Sequence, residues 1–317
     1  MIPKLFGGLL VENLQPDDPH LHLQLALYQA GLIEGVQVAL PQPKSVSINQ
    51  VIRVLNILPS GLGVFIHGTG EKDGFNPGQT VDVRRAYRTG VPAEADWAAM
   101  NRLAVNWSSR LAQILSTTGS VKIVMHLGNA SGPTDRIAFD QAVQTIRLAM
   151  YPELFAWENM CALRLADEEA KILGFISPHW GSRTCCFEIG GTPESMRDFL
   201  QQLQPGSVCL IDFSHLMLTV NQAKAMSEHI PELKSCLILE RLVENFLALP
   251  HSLICHYSGF PDGRLAGSHG ERLMPVPGPV LAAMHDMEVI CLERRWDPAD
   301  QEETFRDVEA FKEAMAH

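Results

Sequence analysis

Six short apolar runs in this chain each close on a side chain of a metal-binding type. They read Val64-Phe65-Ile66-His67, Ile123-Val124-Met125-His126, Phe155-Ala156-Trp157-Glu158, Cys209-Leu210-Ile211-Asp212, Leu253-Ile254-Cys255-His256 and Ile290-Cys291-Leu292-Glu293. Runs this short, rich in β-branched and aromatic residues, predict buried strands. With two more apolar runs, strands are expected at 5–11, 35–40, 63–67, 121–126, 154–158, 208–212, 253–256 and 288–293. Longer amphipathic stretches predict helices at 20–30, 48–58, 93–116, 135–150, 193–203, 280–286 and 301–316, and helical turns at 221–248 broken near Pro231. Pro59 and Gly61 stop the second helix, and Thr192 supplies a cap for the one at 193–203. The stretch 161–191 reads as a short helix plus an inserted loop.

Strands that alternate with helices call for a parallel sheet. Eight such units in 317 residues predict a closed (β/α)8 TIM barrel rather than an open doubly wound sheet. No Gly-x-Gly-x-x-Gly follows the first strand, which weighs against a dinucleotide-binding alternative. Nothing resembling a linker divides the chain. Residues 1–317 are therefore expected to form a single domain with extended loops after strands three, five and seven.

In a parallel barrel every strand ends on the same rim. His67, His126, Glu158, Asp212, His256 and Glu293 are thus expected to converge on one volume. A lone histidine at a strand end is more often a hydrogen-bonded rim residue, and a lone carboxylate there is often a helix cap. Six in register are harder to explain that way. Three imidazoles and three carboxylates in an apolar cup are costly unless paired. Divalent metals offset that cost, and zinc or manganese suits mixed nitrogen and oxygen donors.

His215 follows Asp212 by three residues and is expected at the same rim. His269 and Glu271, with Asp262 nearby, lie in the loop after strand seven. They either complete a further metal site with His215 or belong to a solvated loop. Arg84, Arg85 and Arg88 read as solvated loop or phosphate grip, and Arg294 and Arg295 are equally open. His20 and His22 read as surface residues, Trp97 and Trp107 as core, and His179 beside Trp180 as part of a lid. Neither a P-loop nor a Gly-x-Ser-x-Gly elbow occurs.

The formal net charge of −11 disfavours broad contact with nucleic acid. It says little about a lesion-specific enzyme, because metal-binding carboxylates enter the sum. The seven cysteines are odd in number, form no Cys-x-x-Cys, and lie mostly in apolar runs, as expected for reduced, buried thiols in a cytoplasmic protein. The start lacks a signal-peptide pattern, and no apolar run approaches the ~18 residues of a membrane span.

The strand ends resemble those of the endonuclease IV branch of the xylose isomerase-like barrels. The resemblance runs in order along nearly the whole chain. Its pieces are Ile66-His67, His126-Leu127-Gly128, Trp157-Glu158-Asn159, the run Val208-Cys209-Leu210-Ile211-Asp212-Phe213-Ser214-His215, Cys255-His256 and Leu292-Glu293. It implies two or three divalent ions, zinc first, with manganese or iron as alternatives. His67 and His126 would hold one ion, and Glu158 would bridge it to a second held by Asp212, His256 and Glu293. In endonuclease IV a third ion takes the histidine of the Asp-x-x-His element, here His215, and an Asp-x-His from the loop after strand seven. That loop here reads Ser268-His269-Gly270-Glu271, with the same ligand types in reversed order.

Two reaction classes follow. The first is a metal-dependent phosphoester hydrolase acting on a phosphoester substrate, damaged or abasic DNA included. Glu158 would hold the ions and the attacking water, and His215 would stabilise the leaving group. The second is a sugar or sugar-phosphate isomerase or epimerase with a single ion on Glu158, Asp212, His256 and Glu293. Two further imidazoles, His67 and His126, favour the first, while the acidic charge and the missing Asp-x-His favour a small substrate.

Overall fold

The computed structural model describes residues 2–10, 15–39, 57–67, 123–127, 129–130, 140, 143–144, 147, 155–165, 185–203, 205–259, 263–265, 272–293 and 297–317. In chain order the strands are β1 (Lys4–Leu10), β2 (Gly35–Ala39), β3 (Gly63–His67), β4 (Ile123–His126), β5 (Asn129–Ala130), β6 (Phe155–Glu158), β7 (Leu163–Leu165), β8 (Cys185–Glu188), β9 (Val208–Asp212), β10 (His251–Tyr257) and β11 (Val289–Leu292). The described helices are α1 (Pro19–Gln29), α2 (Pro193–Gln201), α3 (Phe213–Met226), α4 (Leu239–Leu247), α5 (Gly278–Met284) and α6 (Gln301–Ala314), with a 3-10 turn at Pro231–Cys236.

Eight of the strands close into a parallel barrel in the order β1-β11-β10-β9-β6-β4-β3-β2, and β2 pairs back onto β1. This is the (β/α)8 architecture expected from the alternation of strands and helices. Side chains along each strand point alternately inward and outward. The inward set forms a small apolar cluster of its own: Phe6, Phe65, Val124, Ala156, Leu210, Ile254, Val289 and Cys291. The outward set packs against the helices in a second, larger cluster. The inner cluster is a floor. Two residues further along each strand, the chain reaches the rim.

The floor explains one glycine. A Cβ on Gly35 would stand 2.4 Å from the Phe6 ring and 2.6 Å from the Gly63 carbonyl. The aromatic ring of β1 fills the volume that a side chain on β2 would need. Gly35→Ala is expected to destabilise the protein by about 1–3 kcal/mol, the usual cost of overpacking a rigid core. Urea denaturation measures this, and an unchanged midpoint would mean that Phe6 does not occupy the space.

Two corrections concern the connections. The stretch 161–191, expected as a short helix plus a loop, contains strands in its described parts. β8 pairs antiparallel with both β5 and β7, giving a three-stranded sheet. β5 follows directly from β4, and β7 from β6, so this sheet sits beside the barrel rim where those two strands end. The strands are only two to four residues long. Their partners lie far off in sequence, so local periodicity carries little trace of them.

The second correction is α3, which starts at Phe213 rather than near Asn221. Asp212 is its N-cap: its Oδ1 accepts from the His215 backbone N–H at 3.0 Å. The strand therefore turns into a helix without a loop. Thr192 caps α2 as expected, accepting from Ser195 N at 3.2 Å. The helix expected at 93–116 and the loop at 68–92 lie outside the described residues, as does the helix expected at 48–58 except for residues 57 and 58, which are not helical.

Cys161, Cys209, Cys236, Cys255 and Cys291 are buried free thiols. Burial pushes the Cys209 thiol up to about 12 and that of Cys236 to about 11, so these sulfurs are inert packing groups. Among the described residues no helix is long and apolar enough to cross a membrane.

Candidate metal centre

The floor residues Phe65, Val124, Ala156, Leu210, Ile254 and Cys291 each precede a rim residue by two positions. Those rim residues are His67, His126, Glu158, Asp212, His256 and Glu293. All six therefore face inward, as the strand-end pattern requires. Register confirms the placement, since His126 sits beside Glu158 and His256 beside Asp212.

Glu158 is the hub. Its Oε2 lies 3.0 Å from His67 Nε2 and 3.1 Å from His126 Nε2. Its Oε1 lies 3.3 Å from His256 Nδ1 and 3.5 Å from His215 Nδ1. Glu293 Oε1 is 3.3 Å from His256 Nδ1 and 3.9 Å from His67 Nε2. The His67 ring stands edge-on to His126 at 5.0 Å and stacks with His256 at 5.6 Å. Glu158, Asp212 and His256 are fully buried.

Such a set carries strong fields. Burial opposes charge on His126 and His256, but the surrounding carboxylates outweigh it and raise both to about 9. For His126 these are Glu158, Glu293 and Glu188; for His256 they are Glu293, Glu158 and Asp212. Burial also opposes charge on Glu158, yet the imidazoles of His256 and His126 hold it well below the usual carboxylate range. Asp212 moves the other way. Burial and repulsion from Glu158 and Glu293 raise it, against the pull of His215 and His256.

The donors fit a divalent ion. Glu158 Oε1, Asp212 Oδ2, His126 Nδ1 and both ring nitrogens of His256 are buried without a hydrogen bond among the described residues. Donors bound about 2.1 Å from one ion stand about 3.0–3.4 Å apart, and the His256 contacts to Glu158 and Glu293 fall in that range at 3.3 Å. Three groupings place one donor atom per residue within 4.8 Å of the others: Glu158, Asp212, His256 and Glu293; His67, His126 and Glu158; and His67, His256 and Glu293.

Three residues around the ligands fix their positions. Asn159 accepts from the Asp212 N–H at 2.7 Å and donates to the Asp212 carbonyl at 3.3 Å, clamping the ends of β6 and β9 together. Its own carbonyl lies 2.9 Å from His215 Nδ1, which makes that nitrogen the N–H donor. His215 thus stands beside the cluster with Nδ1 committed, outside the four-donor set. Ser214 accepts from Ser258 N and donates to the Gly259 carbonyl, both at 2.9 Å, which ties β9 to the end of β10.

Two neighbours escaped the sequence reading. Glu188 on β8 is buried and raises His126. Gln37 on β2 is buried and donates from Nε2 to Glu293 Oε1. Gln37 lies inside an apolar run and is not a ligand type. Glu188 does close a short run, Cys185-Cys186-Phe187, but in the stretch 161–191 expected as a short helix plus a loop. His269, Glu271, Asp262, Arg84, Arg85, Arg88, Arg294, Arg295 and His179 lie outside the described residues, so of the expected third metal site only His215 is described. His20, on the first turn of α1, is 42% exposed at its side chain, in keeping with a surface role.

No protein-family model matches the chain, and no curated protein does. Solved structures do. Protein SMc04130 from Sinorhizobium meliloti 1021 aligns over 97% of this chain and 97% of its own, with a TM-score of 0.50 and 13% identity. A D-psicose 3-epimerase crystallised in the presence of D-fructose aligns over 96% of this chain and 97% of its own, with a TM-score of 0.52 and 11% identity. What they share is the barrel. At such identities the likeness establishes the fold and leaves chemistry to the site.

Proposed function

We propose that this chain is a metal-dependent enzyme of the xylose isomerase-like barrels that isomerises or epimerises a small sugar or sugar phosphate. The observation that carries this is the four-donor set of Glu158, Asp212, His256 and Glu293, whose ligand atoms lie within 4.8 Å of one another above an apolar floor. The ion, when bound, would supply Lewis acidity toward adjacent sugar oxygens. Asp212 and His256 would serve as fixed ligands, held by the Asn159 clamp and the β9–β10 pairing. Glu158 and Glu293 would move the carbon-bound proton: one carboxylate takes it up and the other delivers a proton to carbon. The likeness to a D-psicose 3-epimerase supports this choice over the endonuclease IV branch.

One observation supports a second reading. His67, His126 and Glu158 form their own donor group, and Glu158 is common to both. Two ions bridged by Glu158 would suit hydrolysis of a phosphoester, abasic DNA included. The protein is expected to work as one domain in the cytoplasm, where its buried thiols stay reduced.

The test is a metal count on the purified protein combined with two assays. One ion per chain, zinc or manganese, and turnover of a ketose such as D-fructose are expected. Two or more ions, with nicking of duplex carrying a single abasic site, would transfer the assignment to the hydrolase.

A further inference from the structure

Six of the eight barrel strands bring a ligand-type residue to the rim, and the remaining two bring Gly8 and Gln37. Gly8 lies two residues beyond the floor residue Phe6, and Gln37 two beyond Gly35. The register pairs Gly8 with Gln37 on one side. On the other side Gly7 pairs with Leu292, which puts Gly8 alongside Glu293. Gln37, Gly8 and Glu293 therefore form one row across β2, β1 and the end of β11.

Two strand spacings separate Gln37 from Glu293, about 10 Å between backbones. The Gln37 amide nevertheless reaches the Glu293 carboxylate. It does so over Gly8, which has no side chain. A Cβ on Gly8 would meet only the Leu292 carbonyl at 3.4 Å and Glu293 Cα at 3.8 Å, both ordinary contacts. The Gln37 side chain thus passes more than 4 Å from that position, and only a longer side chain would reach its path. Neither crowding nor a positive φ requires glycine at this position. What a larger side chain would take away is the path of the glutamine.

The amide orientation is fixed by its partner. A carboxylate only accepts, so Nε2 faces Glu293 and Oε1 faces away. That Oε1 is buried and has no hydrogen-bond partner among the described residues. A buried acceptor left unmatched works against folding, so stability alone does not account for glutamine here.

We propose that Gln37 is a positioning residue for the metal centre: reaching across the open Gly8 position, it orients and holds the Glu293 carboxylate for the ion. The inference rests on the metal reading of the site given above. The closest physical parallel is the partner that fixes a metal ligand from outside the coordination shell, whose loss weakens metal affinity about 10–100-fold.

The experiment is a Co²⁺ titration of metal-stripped protein, followed by the visible absorption of the bound ion and paired with thermal melts of the metal-free forms. Gln37→Leu is expected to bind Co²⁺ about 10–100-fold more weakly and to change the absorption bands. Its metal-free melting temperature should be equal to or above that of the wild type. Gly8→Leu, which blocks the path but keeps the amide, is expected to reproduce the weaker binding, and Gly8→Ala to behave as wild type. Wild-type affinity and spectrum in Gln37→Leu would overturn the proposal while leaving the metal centre standing. Weaker binding accompanied by a lower metal-free melting temperature would make Gln37 a structural residue and overturn it as well. A wild-type protein that takes up no Co²⁺ would overturn the metal reading itself, and this proposal with it.

Discussion

Glu158→Gln is expected to abolish the metal-dependent activity, lowering turnover by about 10³-fold or more, the upper range for removing one essential electrostatic group. The reason is connectivity. Glu158 belongs both to the four-donor set and to the group with His67 and His126. Its two oxygens stand within 3.5 Å of four imidazoles. Glutamine keeps the shape and removes the charge, so the floor of Ala156 and its neighbours stays packed. An amide nitrogen would now face donors that need an acceptor.

Metal analysis of the variant should therefore show loss of ions at every site the carboxylate serves. Far-UV circular dichroism should show the barrel intact. A variant that keeps wild-type ions and wild-type turnover would remove Glu158 from the chemistry. Asp212→Asn makes a useful contrast. Its Oδ1 caps α3 as well as standing in the site, and an asparagine oxygen still accepts the His215 N–H. This variant should therefore lose metal while largely keeping the helix cap, whereas Asp212→Ala should lose both.

That double role of Asp212 shows where the sequence was readable and where it was not. The barrel was legible because each strand is a short apolar run with a defined last residue. The six ligand-type side chains were legible because period-two alternation puts every one of them two residues beyond a floor residue, on the same face. Recurrence of that register, rather than any one residue, carried the signal.

What stayed hidden depended on partners distant in sequence. Gln37 is an ordinary glutamine until the register places the bare Gly8 between it and Glu293. Glu188 lies in a strand of four residues whose pairing with β5 and β7 has no local periodicity to announce it. The start of α3 was missed because Asp212 was read as a strand end alone. The Asp-x-x-His spacing also marks a helix cap, with the His215 N–H as the capped group. One carboxylate serving both purposes leaves no loop between β9 and α3.

Metal affinity should rise steeply with pH. In the metal-free protein His256 and His126 are both raised to about 9, because nearby carboxylates outweigh the burial that would lower them. At neutral pH both rings are therefore imidazolium, and each must give up its proton to bind an ion. Affinity is expected to climb about tenfold per pH unit for each proton displaced, levelling off near pH 9.

The slope also separates the two proposed readings. An ion on Glu158, Asp212, His256 and Glu293 displaces the His256 proton, giving about 10²-fold tighter binding between pH 6.5 and 8.5. An ion on His67, His126 and Glu158 also displaces the His126 proton, which raises the combined two-ion dependence to at least about 10⁴-fold.

Stability should follow with the opposite sign in the metal-free form. A histidine whose folded value is raised stabilises the fold fully below its unfolded value near 6.5, and that contribution disappears as pH climbs through 9. Glu158, held low, contributes above its unfolded value near 4.5 and stays constant across this window. Metal-stripped protein should thus melt at progressively lower temperature from pH 6.5 to 9, while its gap to the zinc-loaded form widens. Calorimetric titration in buffers of different ionisation heat counts the released protons directly. Affinity that stays flat from pH 6.5 to 8.5, with no proton released, would mean that the ion does not displace a proton from His256, and the expected pH dependence of the four-donor site would fail.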